Sequence, residues 1–155
     1  MADPLPLISP IPLRDEAATL ALGAELAPRI QPGKVVFLHG NLGAGKTTLV
    51  RGYLEALGHT GAVKSPTFTL VEEYLLTPAR VFHFDLYRLS DPEELEWMGI
   101  RDYFSADSIV FVEWPERGAG FLPRADFEIT LIYDGASRIA KLSVCDPNAN
   151  LSSTP

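Results

Sequence analysis

The sequence predicts a single α/β domain, in which a mixed sheet with parallel core strands and antiparallel hairpins is flanked by helices. The 155 residues fit one domain and leave little room for a second. Hydrophobic residues make up 46% and charged residues 21%, as in ordinary globular proteins with a buried core. Short apolar runs of strand length alternate with segments of helical periodicity, and no internal repeat or linker composition divides the chain.

The first third of the chain predicts an arm, a helix, a strand, a turn and a second helix. Four prolines favour an extended N-terminal arm over residues 1–12. Helix formers predict a first helix over 15–28. Its expected apolar stripe consists of Leu13, Ala17, Leu20, Ala24 and Ala27. The apolar run at 34–40 has the length of a buried strand. An amphipathic helix is expected over 46–57, ending at Gly58.

The middle of the chain predicts a hairpin followed by a short helix. Segments 67–74 and 81–86 alternate like strands and are expected to pair across a connection at 77–78. A helix should begin after them, with Asp91 as its cap and Glu94 completing a capping box.

The last third of the chain predicts a buried strand and a second hairpin. Residues 109–112 form another short apolar run. Segments 127–133 and 138–144 alternate and are expected to pair through a turn at Asp134-Gly135. Residues 146–155 are expected to form a disordered tail.

Charge and residue usage exclude several classes of function. The net charge of −7 and pI near 4.9 disfavour stable binding to bare nucleic acid or an anionic membrane. No apolar run approaches the roughly 18 residues that span a bilayer, and no export leader is visible, so we expect a soluble cytoplasmic protein. A single cysteine, Cys145, forms no internal disulfide, and the three histidines lack the spacing of zinc ligands.

One motif predicts a phosphate-binding loop. Residues 40–47 read GNLGAGKT and match the pattern G-x-x-x-x-G-K-[ST], between a predicted strand and a predicted helix. Glycines let main-chain N–H groups converge on phosphates at the helix N-terminus. Residues 13–145 are therefore expected to form a P-loop NTPase-like domain. The predicted nucleotide-binding residues of the loop are Asn41, Leu42, Gly43, Ala44, Gly45, Lys46, Thr47 and Thr48.

Three side chains at the end of this loop have separate expected roles. Lys46 supplies an ammonium for the β and γ phosphates, Thr47 a hydroxyl ligand for Mg²⁺, and Thr48 a donor near the α phosphate. The guanine-reading segment N/T-K-x-D and the D-x-x-G segment of GTPases are both missing from the sequence. We therefore favour ATP over GTP as the nucleotide.

Four further side chains are candidates for the chemistry. Glu113 follows an apolar strand and is expected to complete the Mg²⁺ shell, directly or through water. Asp85 ends another strand, on the face of Val81 and His83, and is a candidate to hold a metal-bound water or orient the attacking one. Thr67 lies in a polar segment that could close over the γ phosphate. Trp114, beside Glu113, is placed to sense or gate the site. Each has a structural alternative, such as a cap, a strand end or a packing aromatic.

The combined motifs resemble the TsaE family, also called YjeE. They are HGNLGAGKTTLVRG, KSPTFTLVEEY, FHFDLYRL followed by DPEELEWMGIRDYF, and VEWPERG, and the likeness runs from about residue 11 to 144. The resemblance implies a P-loop ATPase that helps make N6-threonylcarbamoyladenosine at position 37 of tRNAs reading ANN codons. It implies the roles named above for Lys46, Thr47, Thr67, Asp85, Glu113 and Trp114. It also implies that Glu16 and Arg138 lie near the nucleotide.

The resemblance further implies partners, the TsaD and TsaB proteins, with tRNA met only through the complex. ATP hydrolysis would reset that complex between turnovers. No arginine finger is assignable in the sequence, so we expect slow activity of the chain alone. Two alternatives stay open: a small-molecule kinase using the same loop, and a nucleotide-gated binding module that hardly hydrolyses.

Overall fold

A computed structural model describes residues 9–76 and 79–145 as one seven-stranded mixed sheet with helices on both faces. The strands run in the order β1-β7-β6-β2-β5-β4-β3. Their bounds are β1 Ile11–Leu13, β2 Val35–His39, β3 Val71–Leu76, β4 Ala79–Asp85, β5 Ser108–Glu113, β6 Phe127–Asp134 and β7 Ser137–Val144. The helices are α1 Glu16–Leu26, α2 Lys46–Ala56 and α3 Glu93–Trp97, with short 3₁₀ turns at Ile100–Tyr103 and Pro115–Gly118. The predicted fold class is confirmed.

The four central strands are parallel, and this arrangement positions the site. β2 pairs in parallel with β5 and β6, and β4 pairs in parallel with β5. The outer strands are antiparallel: β3 pairs with β4, and β7 with β6 and β1. The carboxyl ends of β2, β4 and β5 therefore meet at one edge of the sheet. Such an edge is where open α/β sheets bind ligands.

Two apolar layers cover the two faces of the sheet. One contains α1 and α2, with Val36, Leu38 and Phe111 buried beneath them. The other packs Phe84 and Val112 under the segment that contains α3. The alternation predicted along β4 is present, since Val81 belongs to the first layer and its neighbour Phe82 to the second.

Side-chain hydrogen bonds cap the N-termini of α1 and α3. Asp15 caps α1, where its Oδ1 accepts a hydrogen bond from the N–H of Ala18 at 2.9 Å. At α3 the predicted capping box is present: Asp91 Oδ1 accepts from the N–H of Glu93, and Glu94 Oε2 accepts from the N–H of Asp91, both at 2.9 Å.

Three details of the expected elements are wrong. The buried residues of α1 are Thr19, Leu22, Gly23 and Leu26, not the predicted stripe. The helix is apolar almost all round, so hydrophobic periodicity does not predict which of its faces is buried. A strand does not begin at Thr67, because residues 66–69 form a turn and β3 starts only at Val71. The second hairpin turns through residues 135–136, since Asp134 still pairs with Ser137.

Some expectations fall outside the described residues. The connection at 77–78, the tail at 146–155 and the arm up to residue 8 lie there. The rest of the arm includes β1, which pairs antiparallel with β7. In the part of the chain that the structure describes, every helix is too short or too polar to cross a bilayer.

Candidate nucleotide-binding site

The glycine-rich loop joins β2 to α2 and leaves main-chain donors available at the start of that helix. The backbone φ angles of Gly40, Gly43 and Gly45 are 150°, 80° and 108°, values that residues with a side chain rarely adopt. A Cβ on Gly40 would also lie 2.8 Å from the carbonyl oxygen of Leu131. Among the described residues, no side chain caps the first amides of α2. The loop therefore has the donor-rich geometry that suits an anion.

Lys46 is buried at the centre of the site, with 5% of its surface exposed. Its ammonium donates to the carbonyl oxygen of Gly40 and lies 3.8 Å from Glu113 Oε1. The ring of Trp114 covers it, with 4.2 Å between Nζ and the ring centroid. Burial lowers the pKa of Lys46, and the carboxylates of Glu113 and Asp85 oppose that shift. A cation is thus held where a polyanion would reach the loop.

Two carboxylates stand side by side at the ends of β4 and β5. Asp85 and Glu113 are directly opposite each other in the parallel register, and both are 3% exposed. The hydroxyl of Thr47 donates to Glu113 Oε2 at 3.3 Å. The predicted lysine, hydroxyl and carboxylates therefore converge in space, although 67 positions separate Lys46 from Glu113 in the chain.

Asp85 is held by the segment that precedes β3. The hydroxyl of Thr67 donates to Asp85 Oδ2 at 2.9 Å, and the N–H of Tyr87 donates to Oδ1 at 2.9 Å. Ser65 shares a hydrogen bond with Thr67 at 2.8 Å. Leu70, with φ of 72°, closes the turn through its N–H to the carbonyl of Pro66. These bonds explain why 65–70 is a loop folded towards the site and not the start of a strand.

Two cavities lie on either side of the loop. The first, of about 280 Å³, is lined by Leu42, Gly43, Gly45, Lys46, Thr47, Thr48, Ser65, Thr67, Asp85 and Glu113. The second, of about 160 Å³, is lined by Leu13, Asp15, Glu16, Thr19, Gly43, Ala44, Gly45, Thr48, Ala136 and Arg138. Both cavities share Gly43, Gly45 and Thr48. An extended ligand would therefore contact both cavities across the loop.

Glu16 and Arg138 line the second cavity from different elements. Glu16 begins α1 and forms an ion pair of 2.8 Å with Arg51. Arg138 donates to the carbonyl oxygen of Gly43 at 3.4 Å and covers the ring of Tyr133 at 4.1 Å. Sequence spacing alone does not predict that they lie close together. Arg138 lies on β7, which pairs with β1, the strand just before the helix that Glu16 begins.

Two residues at the site escaped sequence reasoning. His83 is fully buried, and its Nε2 lies 2.6 Å from Glu113 Oε2. The alternation of β4 placed it on the face of Asp85, but nothing in the sequence linked it to Glu113. Tyr133, on β6, donates from its hydroxyl to the carbonyl oxygen of Leu42 at 2.5 Å. No sequence pattern pointed to that contact, since the two residues lie 91 positions apart.

The residues present fit a magnesium nucleotide. Lys46 and the loop amides match the charge of a polyphosphate. One hydroxyl and two carboxylates match Mg²⁺, which takes few protein ligands and completes its shell with phosphate oxygens and waters. Over residues 9–76 and 79–145, no group of three or more His, Cys, Asp or Glu side chains is arranged to hold a metal by itself.

Comparisons with known proteins point to one family. The family model described as "Threonylcarbamoyl adenosine biosynthesis protein TsaE" matches residues 13–140. A Haemophilus influenzae protein named tRNA threonylcarbamoyladenosine biosynthesis protein TsaE is 50% identical over 143 residues, 88% of this chain and 90% of the relative. A Bacillus subtilis protein of the same name is 39% identical over 113 residues, 73% of this chain and 70% of the relative.

A solved structure agrees with these relatives. The crystal structure of Bacillus subtilis YdiB superposes with a TM-score of 0.72 at 30% sequence identity, and covers 87% of this chain and 84% of that one. The matched range, residues 13–140, spans the glycine-rich loop and both carboxylates described above. The resemblance seen in the motifs is thereby confirmed, and the chain belongs to the TsaE family.

Proposed function

We propose that the chain is the Mg²⁺-dependent, ATP-binding and ATP-hydrolysing subunit of the bacterial machinery that makes N6-threonylcarbamoyladenosine at position 37 of ANN-decoding tRNAs. One observation carries the proposal: Lys46, the Thr47 hydroxyl and the Asp85–Glu113 pair converge beside the glycine-rich loop. The names of its relatives support the pathway. The substrate of the site would be ATP, and transfer of the threonylcarbamoyl group to the tRNA adenosine would belong to the partner TsaD.

The loop and Lys46 would bind the triphosphate. Amides of residues 41–48 surround the phosphates, and Lys46 exchanges its contact with Gly40 for phosphate oxygens. The base and ribose would occupy the cavity between Glu16 and Arg138. Trp114, which covers the Lys46 ammonium, excludes water from that charge and so strengthens its pull on the phosphates.

Thr47 and Glu113 would hold Mg²⁺. The ion would neutralise the negative charge that develops on the oxygen bridging the β and γ phosphates. Asp85, fixed by Thr67 and the Tyr87 amide, orients the attacking water for in-line displacement. Lys46 stabilises the same developing charge from the loop side. Most of the acceleration therefore comes from positioning and electrostatics.

Partners would complete the site. Among the residues that the structure describes, the lining of the cavity beside Asp85 and Glu113 includes no arginine. An arginine at that position accelerates related ATPases and GTPases by orders of magnitude. We therefore propose that TsaB and TsaD stimulate hydrolysis, that hydrolysis resets their complex, and that tRNA is met only through them in the cytoplasm. The net charge of −7 agrees with this indirect contact.

Titration calorimetry of Mg·ATP into wild type and Lys46→Ala tests the binding step. A hydrogen bond to a charged group contributes about 1.5–3 kcal/mol, so Lys46→Ala should weaken binding by roughly 10- to 150-fold. Lys141→Ala removes an exposed lysine from β7 and should bind as wild type does. Absence of heat with the wild-type protein would contradict the proposal.

Phosphate release, measured with no acceptor present, tests the reaction. We expect slow release by the chain alone and faster release when TsaB and TsaD are added together. A small-molecule kinase would release little phosphate without an acceptor. A nucleotide-gated binding module would associate with its partners in ATP but show no release, and Glu113→Ala would leave that association unchanged.

A further inference from the structure

His83 makes the shortest contact to a candidate metal ligand. The imidazole lies on β4, two residues before Asp85, and has no solvent exposure. Its Nε2 is 2.6 Å from Glu113 Oε2, across the parallel pair of β4 and β5. The two side chains are buried together, with Glu113 only 3% exposed. A buried polar contact of this length restrains both groups in one arrangement.

The geometry identifies which nitrogen holds the proton. An ionised carboxylate only accepts hydrogen bonds, so Nε2 must donate to Glu113. The other nitrogen, Nδ1, is buried and has no hydrogen-bond partner among the described residues. The contact with Glu113 therefore requires a proton on Nε2.

The two carboxylate oxygens of Glu113 consequently have different contacts. Oε2 accepts from His83 and from the Thr47 hydroxyl, at 2.6 and 3.3 Å. Because the Thr47 proton points to Glu113, the lone pairs of that hydroxyl stay available to a cation. Oε1 is 3.8 Å from the Lys46 ammonium.

We propose that His83 is a positioning residue, which holds Glu113 by Oε2 so that the Thr47 lone pairs and Oε1 are presented to the magnesium of the nucleotide complex. The inference rests on the proposed function, because it assigns a role in binding Mg·ATP. Side chains that orient metal ligands in this way typically change metal affinity or activity about 10- to 100-fold when they are replaced.

Two amide variants separate this role from simple packing. In His83→Gln the side-chain amide nitrogen reaches the place of Nε2, whereas in His83→Asn it reaches only the place of Nδ1. We expect His83→Asn to lower the Mg²⁺-dependent gain in affinity for a non-hydrolysable ATP analogue by about 10- to 100-fold. Affinity for the analogue without Mg²⁺ should be unchanged, and His83→Gln should behave like wild type.

His39 provides a matched control. Its Nε2 also lies 2.6 Å from a glutamate, Glu128, but both side chains are partly exposed and neither lines the two cavities at the loop. His39→Asn should therefore leave the Mg²⁺-dependent gain unchanged. The inference would be overturned if His83→Asn kept the wild-type Mg²⁺-dependent gain in affinity. It would also be overturned if His83→Asn and His83→Gln lost that gain equally.

A second measurement uses the protein without nucleotide. Nitrogen-15 spectra of the histidine rings distinguish the two tautomers, and His83→Gln identifies the signal of His83. We expect a proton on Nε2 in wild type, and an Nε2 without a proton would overturn the inference even if His83→Asn fails to fold. If wild type gives the expected spectrum but does not bind Mg·ATP, the proposed function fails, and the positioning role fails with it while the hydrogen bond stands.

Discussion

Individual side chains at the site differ in what they contact, and this separates binding from turnover. Lys46 donates to the loop carbonyl of Gly40, whereas the Thr67 hydroxyl donates to Asp85, which we propose orients the attacking water. Removing the hydroxyl of Thr67 should therefore leave ATP bound and slow its hydrolysis. A charge-assisted hydrogen bond of about 1.5–3 kcal/mol, lost in the transition state, slows the step by roughly 10- to 150-fold.

Thr67→Val removes that hydroxyl with little change in shape, and Thr67→Ser keeps it. We expect turnover to fall in Thr67→Val by the factor above, with the dissociation constant for Mg·ATP close to that of wild type. Thr67→Ser should retain most of the activity. The measurement is phosphate release in the presence of partners, alongside calorimetry. A loss confined to binding would show that Thr67 contacts the nucleotide and not Asp85.

The parts of the site that the sequence predicted are those that lie close together in the chain. Residues 40–48 form one loop, so their motif could be found without a fold. Asp85 and Glu113 were found because each ends an apolar strand. His83 was missed because its partner, Glu113, lies 30 positions away on a neighbouring strand. A contact of that kind depends on sheet register, which one sequence does not reveal.

Among the elements, α1 and α2 pack unusually closely. A methyl group on Gly52 would overlap the carbonyl oxygen of Leu20, and one on Gly23 would overlap that of Leu49. Both glycines are helical, so no positive φ explains them, and the lack of a side chain is what permits the contact. This packing also explains why Gly23 is buried, whereas Leu13 is the one member of the predicted stripe that is buried and it lies in β1.

Gly52→Ala should therefore destabilise the fold although alanine is the better helix former. Overpacking typically costs about 1–3 kcal/mol, and the clash here is with backbone, which cannot rotate away. Urea unfolding followed by circular dichroism gives the free energy of unfolding. Glu55→Ala changes an exposed position of the same helix and should have little effect. Equal stability of Gly52→Ala and wild type would mean that the helices are farther apart.

Element boundaries were predictable only where local chemistry decides them. The capping box at Asp91 was correct, because both partners lie within one turn. The start of β3 was wrong, because Thr67 has strand-like composition but bonds instead to Asp85, 18 positions away. The missed face of α1 has the same cause, since distant contacts overrode a local pattern.

At the scale of the whole molecule, charge is unevenly distributed. Residues 91–107 contain six acidic residues and one basic residue, so five of the seven net negative charges lie in this segment. The sheet edge with the two loop cavities combines Lys46, Arg138 and the loop amides with carboxylates. The linings contain four carboxylates, Asp15, Glu16, Asp85 and Glu113, against Lys46 and Arg138, so the site keeps a net negative charge that a bound cation would offset.

Stability of the whole fold should depend on pH in the alkaline range. Burial strongly raises the pKa of Tyr53 above its ordinary 10.0, and its hydroxyl donates to the carbonyl of Ile30 at 2.9 Å. Burial also raises the pKa of Tyr74. Above pH 10 the unfolded chain releases these protons while the folded chain keeps them, so the free energy of unfolding falls as pH rises. Lys46 acts in the opposite sense below its ordinary 10.5, because its pKa is lowered in the fold.

Urea unfolding between about pH 8 and 11.5 should therefore show a decline that begins near pH 10, at about 1.4 kcal/mol per pH unit for a tyrosine that stays protonated in the fold. Tyr53→Phe loses one buried hydrogen bond, so it should be less stable at pH 8 by about 1 kcal/mol. Its decline should nevertheless be shallower, because phenylalanine has no proton to lose.

Lys46→Ala should instead remove the rise in stability that wild type gains between the lowered pKa of Lys46 and 10.5. If the free energy of unfolding falls equally steeply with pH in wild type and in Tyr53→Phe, Tyr53 reaches solvent in the folded protein.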